Sequence, residues 1–295
     1  IECFRDPYDD GYDSHIINVY DVTFRNFPGS VFNVITNGGG LEYINIRAYR
    51  CKFINCGHVL QPTVGASSAG SQRYSFLKLV DCICDNLTTI CSIPSSNGFA
   101  GPDLRRPKVS LEGNIFYNCD KIITDNGWGA SNVVGTNNIN VDKDMGNIYY
   151  NVGTLFESSQ YPIEFGGTTW GTNLGVKGHV DNFYYDVTNY IVDSSGTVSS
   201  LSGLQSYADN EEGWSGAYDN CYTTNPLPAT YGNLNNLLSW QENSPVWSNV
   251  TTYATRFGPI EFSHVMSDSY QSDGTWTLAS NPASGLGTSW AMIDP

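Results

Sequence analysis

The chain has 295 residues, with 14 Lys or Arg against 29 Asp or Glu, so its formal net charge at pH 7 is −15. A chain this acidic is poorly suited to neutralising phosphates, and we exclude nucleic acid as a partner. Only 15% of the residues are charged, and Gly, Asn, Ser, Thr and Tyr take their place. This composition disfavours a helical bundle, which is built from Ala, Leu, Glu and Lys.

Targeting and redox features favour a location outside the cell. No apolar run has the roughly 18 to 20 residues of a membrane span, and the chain begins at Ile1 without a signal-like segment, as a mature or excised piece would. The eight cysteines lack the paired spacing of a zinc site, and their even number permits disulfides. Together with the low charge, these features predict a secreted or cell-surface protein.

One sequence register recurs six times in the first two thirds of the chain. It consists of an aromatic or apolar residue, any residue, Asn (Asp in the sixth instance), an apolar residue, a short spacer and two apolar residues. The instances begin with residues 24–27, 53–56, 84–87, 116–119, 149–152 and 184–187. Their starting points are 29, 31, 32, 33 and 35 residues apart, a period that is typical of stacked repeat proteins.

Each repeat predicts three short strands. Alternating segments such as residues 44–48 and 77–79 precede the register, and their period of two marks a strand with one buried face. The Asn stands at the following bend, where a residue must tolerate left-handed φ and where stacked amides can hydrogen-bond from coil to coil. The fold class is therefore all-β, a parallel β-helix of about six to eight coils with long loops. The alternative is an all-β sandwich with fortuitous Asn positions.

Two sets of strings carry a resemblance to a known superfamily. Residues 114–119 (Asn-Ile-Phe-Tyr-Asn-Cys) and 147–151 (Asn-Ile-Tyr-Tyr-Asn) resemble coils of the pectate lyase-like, single-stranded right-handed parallel β-helix superfamily. Residues 276–287 resemble the segment that closes secreted β-helix proteins, including polysaccharide lyases and polysaccharide-utilisation proteins of Bacteroidetes. The superfamily also holds hydrolases, esterases, phage tailspikes and scaffolds, so the resemblance implies a fold rather than one activity.

The repeat divides the chain into three stretches. We predict β-helix coils with an Asn ladder over residues 1–192, a long excursion packed on the helix over 193–258, and a final coil with a closing segment over 259–295. No cap precedes the first coil, and an open coil end is an exposed sheet edge. We therefore expect another subunit or a neighbouring domain to cover the N-terminal coil.

Alternate residues of the first strands are expected to form one polar column on the outer sheet. The column comprises Asn45, Arg47, Lys78, Ser110, Glu112, Asn140, Asp142 and Lys177, with Lys143, Asp144 and His179 as competitors because the register is uncertain by one residue. In lyases that the chain resembles, a cation neutralises the uronate carboxylate and a Lys or Arg removes the adjacent proton. The candidate catalytic residues are Arg47, Lys78 and Glu112.

Two other interpretations of this column stay open. A hydrolase needs two carboxylates about 5 to 9 Å apart, and Glu112 with Asp142 or Asp144 qualifies by spacing. Mixed charges on an outward column also serve solubility alone. Residues 142–147 have the alternating oxygen ligands and turn glycine of a short calcium loop, so Asp142 and Asp144 are candidate Ca²⁺ ligands. Asp residues in turns and caps are the alternative to a metal site.

Glycine-flanked tryptophans lie in the loops predicted to overhang the same sheet. Trp128 and Trp170 could stack on the apolar face of a sugar ring, with Lys177 as a further substrate-binding residue. The alternative is that both rings only fill space between loop and coil. Cys51 and Cys82 occupy equivalent positions of adjacent coils, which allows either a disulfide or a ladder of reduced thiols.

The sequence thus predicts an extracellular β-helix that engages a polysaccharide along its first sheet. If it is an enzyme, we expect a polysaccharide lyase that acts on an acidic glycan by β-elimination rather than a glycoside hydrolase. The alternatives are a non-catalytic glycan-binding or adhesive β-helix, such as a tailspike segment, and a structural subunit whose coil ends stack on neighbours.

Overall fold

The structure is a computed structural model that describes residues 2–5, 13–36, 42–64, 73–93, 108–125, 140–159, 164–165, 179–212, 216–226, 269–270 and 276–277. Strands β1 to β7 are Glu2–Arg5, Asp13–Tyr20, Thr23–Arg25, Ser30–Thr36, Glu42–Tyr49, Lys52–Ile54 and His58–Val64. Strands β8 to β14 are Arg73–Val80, Ile83–Asp85, Thr89–Ile93, Lys108–Glu112, Ile115–Tyr117, Lys121–Asp125 and Asn140–Met145. Strands β15 to β21 are Ile148–Ser158, Glu164–Phe165, His179–Val180, Phe183–Asp193, Gly196–Val198, Ser269–Tyr270 and Trp276–Thr277, and helix α1 is Leu201–Glu212.

Parallel pairing between successive coils builds two long sheets. The first sheet runs β1-β2-β5-β8-β11-β14-β16, and β17 also pairs with β14. The second sheet joins two series of strands, in the order β3-β6-β9-β12-β15-β13-β10-β7-β4. Strand β15 belongs to both series, because it continues through the bend that separates two strands in the earlier coils. The strands of neighbouring coils pair in parallel from β2 to β14 and from β3 to β18. The predicted all-β parallel solenoid is therefore confirmed.

The coil count differs from the prediction. Five coils begin with first-sheet strands of five or more residues, which are β2, β5, β8, β11 and β14. One more coil is described by the two-residue strand β17 and by β18, which pair with β14 and β15, and Tyr222 then forms a parallel bridge to Phe183. The predicted excursion over 193–258 is thus interrupted by a return to the solenoid near residue 222.

Alternation along the strands fills the interior as expected. Ile46, Leu79, Leu111 and Val141 are fully buried. Aromatic residues at the first position of the repeat stack between coils, with ring centroids 5.2 Å apart for Phe24–Phe53 and 5.0 Å apart for both Phe116–Tyr149 and Tyr149–Tyr184. Offset stacking of this kind adds to the gain from burying the rings.

The Asn of the repeat adopts the predicted left-handed backbone. Values of φ from 51° to 62° occur at Asn26, Asn55, Asn86, Asn118, Asn151 and Asp186. The exposed amides hydrogen-bond from coil to coil, since Asn86 Nδ2 donates to Asn55 Oδ1 at 2.8 Å and Asn151 Nδ2 donates to Asn118 Oδ1 at 2.6 Å. The Asn ladder is confirmed.

A second, buried ladder follows the bend between the first and second strands, and the sequence analysis did not identify it. The bend has φ from 52° to 67° at Asp21, Arg50, Asp81, Gly113, Gly146 and Asp181. The next residue in each coil points inward, and the backbone N–H of Asn114 donates to Asn147 Oδ1 at 2.9 Å while that of Asn147 donates to Asn182 Oδ1 at 2.8 Å. These side-chain amides give the buried backbone N–H groups of Asn114 and Asn147 a hydrogen-bond acceptor.

Cysteines occupy the same inward column at both of its ends. The backbone N–H of Cys51 donates to Cys82 Sγ at 3.4 Å, and that of Asn182 donates to Cys221 Sγ at 3.3 Å. Cys51, Cys82 and Cys221 are free thiols. Of the two alternatives for Cys51 and Cys82, the structure therefore contains the reduced ladder.

The two ends of the solenoid are only partly covered. Strand β1 pairs antiparallel with β2, so the expectation of a wholly open N-terminal coil is wrong for the first sheet. Strands β3 and β4 are the outer strands of the second sheet among the described residues. At the other end, β19 pairs antiparallel with the end of β18. Within the described part of the chain, no helix is both long and apolar enough to span a membrane.

The buried ladder predicts a large cost for Asn147→Ala. The change leaves the buried N–H of Asn114 and the carbonyl of Leu111, which accepts from Asn147 Nδ2 at 2.9 Å, without their partner. We expect the free energy of unfolding in urea titrations to fall by about 2–4 kcal/mol, because each unsatisfied buried group costs about 1–3 kcal/mol. Asn151→Gly is the control, since glycine keeps the left-handed φ at an exposed position, and it should cost only about 1 kcal/mol. Equal costs for the two variants would contradict this assignment.

Candidate functional site

Cationic residues of adjacent coils form one column on the outer face of the first sheet. The strand register pairs Arg47 with Lys78, Lys78 with Ser110, and Ser110 with Lys143. An irregularity lies between Val109 and Ser110, because Val109 pairs with Val141 while Ser110 pairs with Lys143. Asp142 is thus the extra residue of a β-bulge, which moves Lys143 onto the outer column and turns the next residue inward.

Glu112 joins the two lysines of this column. Its Oε1 lies 2.8 Å from Lys78 Nζ, and its Oε2 lies 2.7 Å from Lys143 Nζ. Burial by itself would raise the pKa of Glu112, but attraction to Lys143 and Lys78 and the hydrogen bonds from them outweigh it, so the pKa is lowered. Glu112 is therefore ionised at neutral pH and holds both ammonium groups in place.

Arg47 continues the column beyond this triad. Its side chain is partly buried, and its Nε is buried without a hydrogen-bond partner in the described structure. Arg47, Lys78 and Lys143 against Glu112 give 3 − 1 = +2 charges on a chain whose formal net charge is −15. We call these four residues the cation column. It is a local positive site suited to an anionic group.

Two stacked tyrosines lie beside the cation column. Tyr20 and Tyr49 are paired in the register of β2 and β5, two residues beyond Asn18 and Arg47. Their ring centroids are 5.0 Å apart with an interplanar angle of 11°, and Tyr20 is 47% exposed. This tyrosine pair offers a flat apolar surface next to the charges. The sequence analysis missed it, although both residues fall on the same alternation as Arg47.

The guanidinium of Arg50 fixes the tyrosine pair from one side. It lies 6.0 Å from the centroid of the Tyr20 ring. Arg50 donates from Nε and Nη2 to the two carboxylate oxygens of Asp21 at 2.7 and 2.8 Å. The hydrogen bond to Asp21 is the main cause that raises the pKa of Arg50. This bidentate pair links the bends of two coils directly beneath the exposed ring.

Asp144 points into the interior and is fully buried. Its Oδ1 accepts hydrogen bonds from Asn147 Nδ2 at 2.8 Å and Tyr149 Oη at 2.6 Å, and its Oδ2 accepts from Tyr184 Oη at 3.1 Å. Burial raises the pKa of Asp144 to about 6, although these three donors lower it. Glu112 and Asp144 thus lie on opposite faces of the sheet and cannot act together on one sugar. The other pair considered for hydrolysis, Glu112 with Asp142, stays a prediction.

The environment of Asp144 does not suit the predicted calcium ion. Both of its carboxylate oxygens already accept hydrogen bonds, and no solvent reaches them. Among the described residues, no group of three or more His, Cys, Asp or Glu side chains could hold a metal ion. Calcium binding through Asp142, the other candidate ligand, stays a prediction.

The candidate substrate-binding residues are not among those that the structure describes. Trp128, Trp170 and Lys177 fall outside the described residues, so their role stays a prediction. Of the residues predicted for the site, the structure brings together Arg47, Lys78 and Glu112 and adds Lys143 to them.

Comparison of the chain with protein-family models, curated proteins and solved structures found no match. The parallel β-solenoid agrees with the pectate lyase-like superfamily at the level of the fold. A shared fold does not specify an activity. The function must therefore be inferred from the chemistry of the outer face.

The lowered pKa of Glu112 predicts a pH-dependent contribution to stability. A carboxyl whose folded pKa is depressed stabilises the fold above its unfolded value, here 4.5, and the contribution is lost as the pH falls through the folded value. We expect Glu112→Gln to lower the free energy of unfolding by about 1 kcal/mol at neutral pH. In urea titrations at successive pH values, this difference should shrink below pH 4.5. A difference that is the same at pH 7 and pH 3 would contradict the assignment.

Proposed function

We propose that the protein is an extracellular polysaccharide-binding β-helix whose first sheet holds an anionic glycan. The observation that carries the proposal is the cation column beside the exposed tyrosine pair. A ring such as Tyr20 suits the apolar face of a pyranose, and cations suit its carboxylate or sulfate groups. Both kinds of group face outward from the same sheet.

The arrangement of the column favours a linear polymer over a single small anion. Arg47 and Lys78 lie on adjacent coils, and Lys143 lies two coils beyond Lys78, with the coil of Ser110 between the two lysines. Parallel strands are about 4.8 Å apart, so the column offers several contacts along one direction. A polymer with an acidic group on successive sugars could meet more than one of these cations at once.

The net charge explains why the cation column would determine affinity. A chain with a formal net charge of −15 repels polyanions at long range. An acidic glycan is therefore attracted only when it lies close to a positive site. Screening acts over about 8–10 Å at physiological salt, which weakens the repulsion and the attraction together. Binding should therefore depend on the few cations of the column rather than on the overall field.

The binding proposal predicts a large effect of neutralising the column. For the double variant Arg47→Gln/Lys143→Gln, we expect at least tenfold weaker binding of polygalacturonate, measured by isothermal titration calorimetry. Lys121→Gln is the matched control, because Lys121 is also ion-paired, to Glu157 at 2.8 Å, but lies on the second sheet. Tyr20→Ala should weaken binding separately. Equal binding by the double variant and the control, or no binding of any acidic glycan by the wild type, would contradict the proposal.

A finer proposal is that the same face cleaves the glycan by β-elimination. Arg47 would bind the uronate carboxylate, and Lys78 would take the proton from C5. The C5–H electrons would form the C4=C5 double bond, while the C4 oxygen leaves with the electrons of the C4–O bond and takes up a proton from water. The adjacent register positions of Arg47 and Lys78 favour this assignment.

The elimination proposal has its own assay. Unsaturated uronate products absorb ultraviolet light, and we expect this absorbance to develop when the protein is incubated with acidic glycans. Lys78→Gln should abolish it while leaving the fold intact by circular dichroism, and assays with Ca²⁺ and with a chelator would test the predicted calcium. Binding without any such absorbance, with or without Ca²⁺, would identify a non-catalytic glycan-binding protein.

A further inference from the structure

A groove lies at the C-terminal end of the solenoid, beside the bend of the last described coil. Hydrogen bonds join residues 218–222 to residues 179–184, so the chain itself covers the first part of this coil. Strand β19 covers the end of β18 from Ile191 onward and leads into α1. Residues 185–190 lie between these two coverings, and several of them line the groove.

The size and the lining of the groove suit a small polar ligand. Its volume is about 460 Å³, and pockets for small ligands have about 300–1,000 Å³. Tyr185, Asp186 and Val187 form one part of the lining, residues 199–201 form another, and Thr223 lines the groove as well. The lining, which falls among the described residues, contains a carboxylate, hydroxyl groups and aromatic surface but no Lys, Arg or His. An anionic ligand would therefore find no countercharge there.

Asp186 ends the exposed Asn ladder with a carboxylate. Each amide of the ladder donates to the coil before it, from Asn86 Nδ2 to Asn55 and from Asn151 Nδ2 to Asn118. An ionised carboxylate has no N–H with which to continue this pattern. The Asp186 carboxylate is exposed, and it makes no hydrogen bond or ion pair with the described residues. It is thus an acceptor at the groove that lacks a donor.

Tyr185 ends an aromatic column next to this carboxylate. Tyr117, Tyr150 and Tyr185 follow one another on the outer side of the second strand, with ring centroids 5.5 and 5.0 Å apart. Tyr117 and Tyr150 are 3% and 7% exposed, whereas Tyr185 is partly exposed and lines the groove. The last ring of the column therefore offers aromatic surface directly beside Asp186.

We propose that the groove binds a small cationic amine carried on a polar ring, which is the chemistry of an amino sugar. The ammonium group donates to the Asp186 carboxylate, and such charge-assisted hydrogen bonds are about twice as strong as neutral ones. The ring packs on Tyr185, since an aromatic ring attracts cations and suits the apolar face of a sugar. Asp186 and Tyr185 are adjacent residues, so one bound ring contacts both.

The start of α1 supplies donors for the other side of the ligand. Ser199, Ser200 and Leu201 line the groove where the helix begins, and the first N–H groups of a helix have no partner within it. The N–H of Gly203 donates to Ser200 Oγ at 3.1 Å, which leaves the N–H groups before it for other acceptors. Hydroxyl oxygens of a sugar are such acceptors. The ligand thus directs its ammonium group toward Asp186 and away from the positive end of the helix dipole.

The probe for this site is glucosamine, titrated below neutral pH so that its amine is protonated, with the backbone amide resonances of the protein as the readout. We expect saturable shifts at residues 185–187 and 223. N-acetylglucosamine, which has the same ring without the charge, and glucose should both bind at least tenfold more weakly. A chain with a formal net charge of −15 attracts any amine weakly, so the location and saturation of the shifts are decisive. Equal affinity for glucose and glucosamine, or shifts that are spread over the surface without saturation, would overturn the proposal.

Asp186→Asn tests the carboxylate without disturbing the bend. Five earlier coils have Asn at this position with the same left-handed φ, so the variant should fold, and urea titration checks that it does. We expect at least tenfold weaker binding of glucosamine. Asp120→Asn is the matched control, because it removes the same charge at an exposed position outside the groove, and it should bind like the wild type. Tyr185→Leu should weaken binding severalfold. Unchanged affinity of Asp186→Asn, or an equal loss in Asp120→Asn, would contradict the assignment of this site.

Discussion

The two left-handed bends of each coil are the constraint on which the rest of the structure depends. Positive φ at Asn55 and Arg50 turns the chain sharply enough for three short strands to return above their starting point. Only then can each backbone group pair with the coil above and below, and only then do side chains of one register position form columns. The interior ladders and the cation column both follow from this repetition.

The sequence predicted the bend after the second strand but not the bend before it. Asn tolerates left-handed φ, so five Asn at one register position were informative. The other bend has Asp at three of its six positions, Gly at two and Arg at one, so no single residue type recurs there as Asn does. Arg50 adopts φ 52° there while it pairs with Asp21 of the coil below, a tertiary contact that local propensity does not contain.

The site was predictable only as far as the alternation of the strands held. Arg47, Lys78 and Glu112 lie outward because β5, β8 and β11 stay in register without interruption. One extra residue at Asp142 exchanges the faces of everything that follows in β14. A period of two cannot show where a bulge falls. The sequence alone therefore could not tell which of Lys143 and Asp144 faces outward.

The bulge also explains why the interior changes character along the solenoid. The inward column that contains Ala48, Leu79 and Leu111 continues with Asp144, so a carboxylate enters a column that is apolar until then. An isolated buried carboxylate is costly unless donors surround it. The first position of the repeat, which is Phe in three of the earlier coils, becomes tyrosine at 149 and 184, where the two hydroxyls reach Asp144. Because these donors come from two successive coils, the carboxylate fixes their register at the place where the bulge would otherwise loosen it.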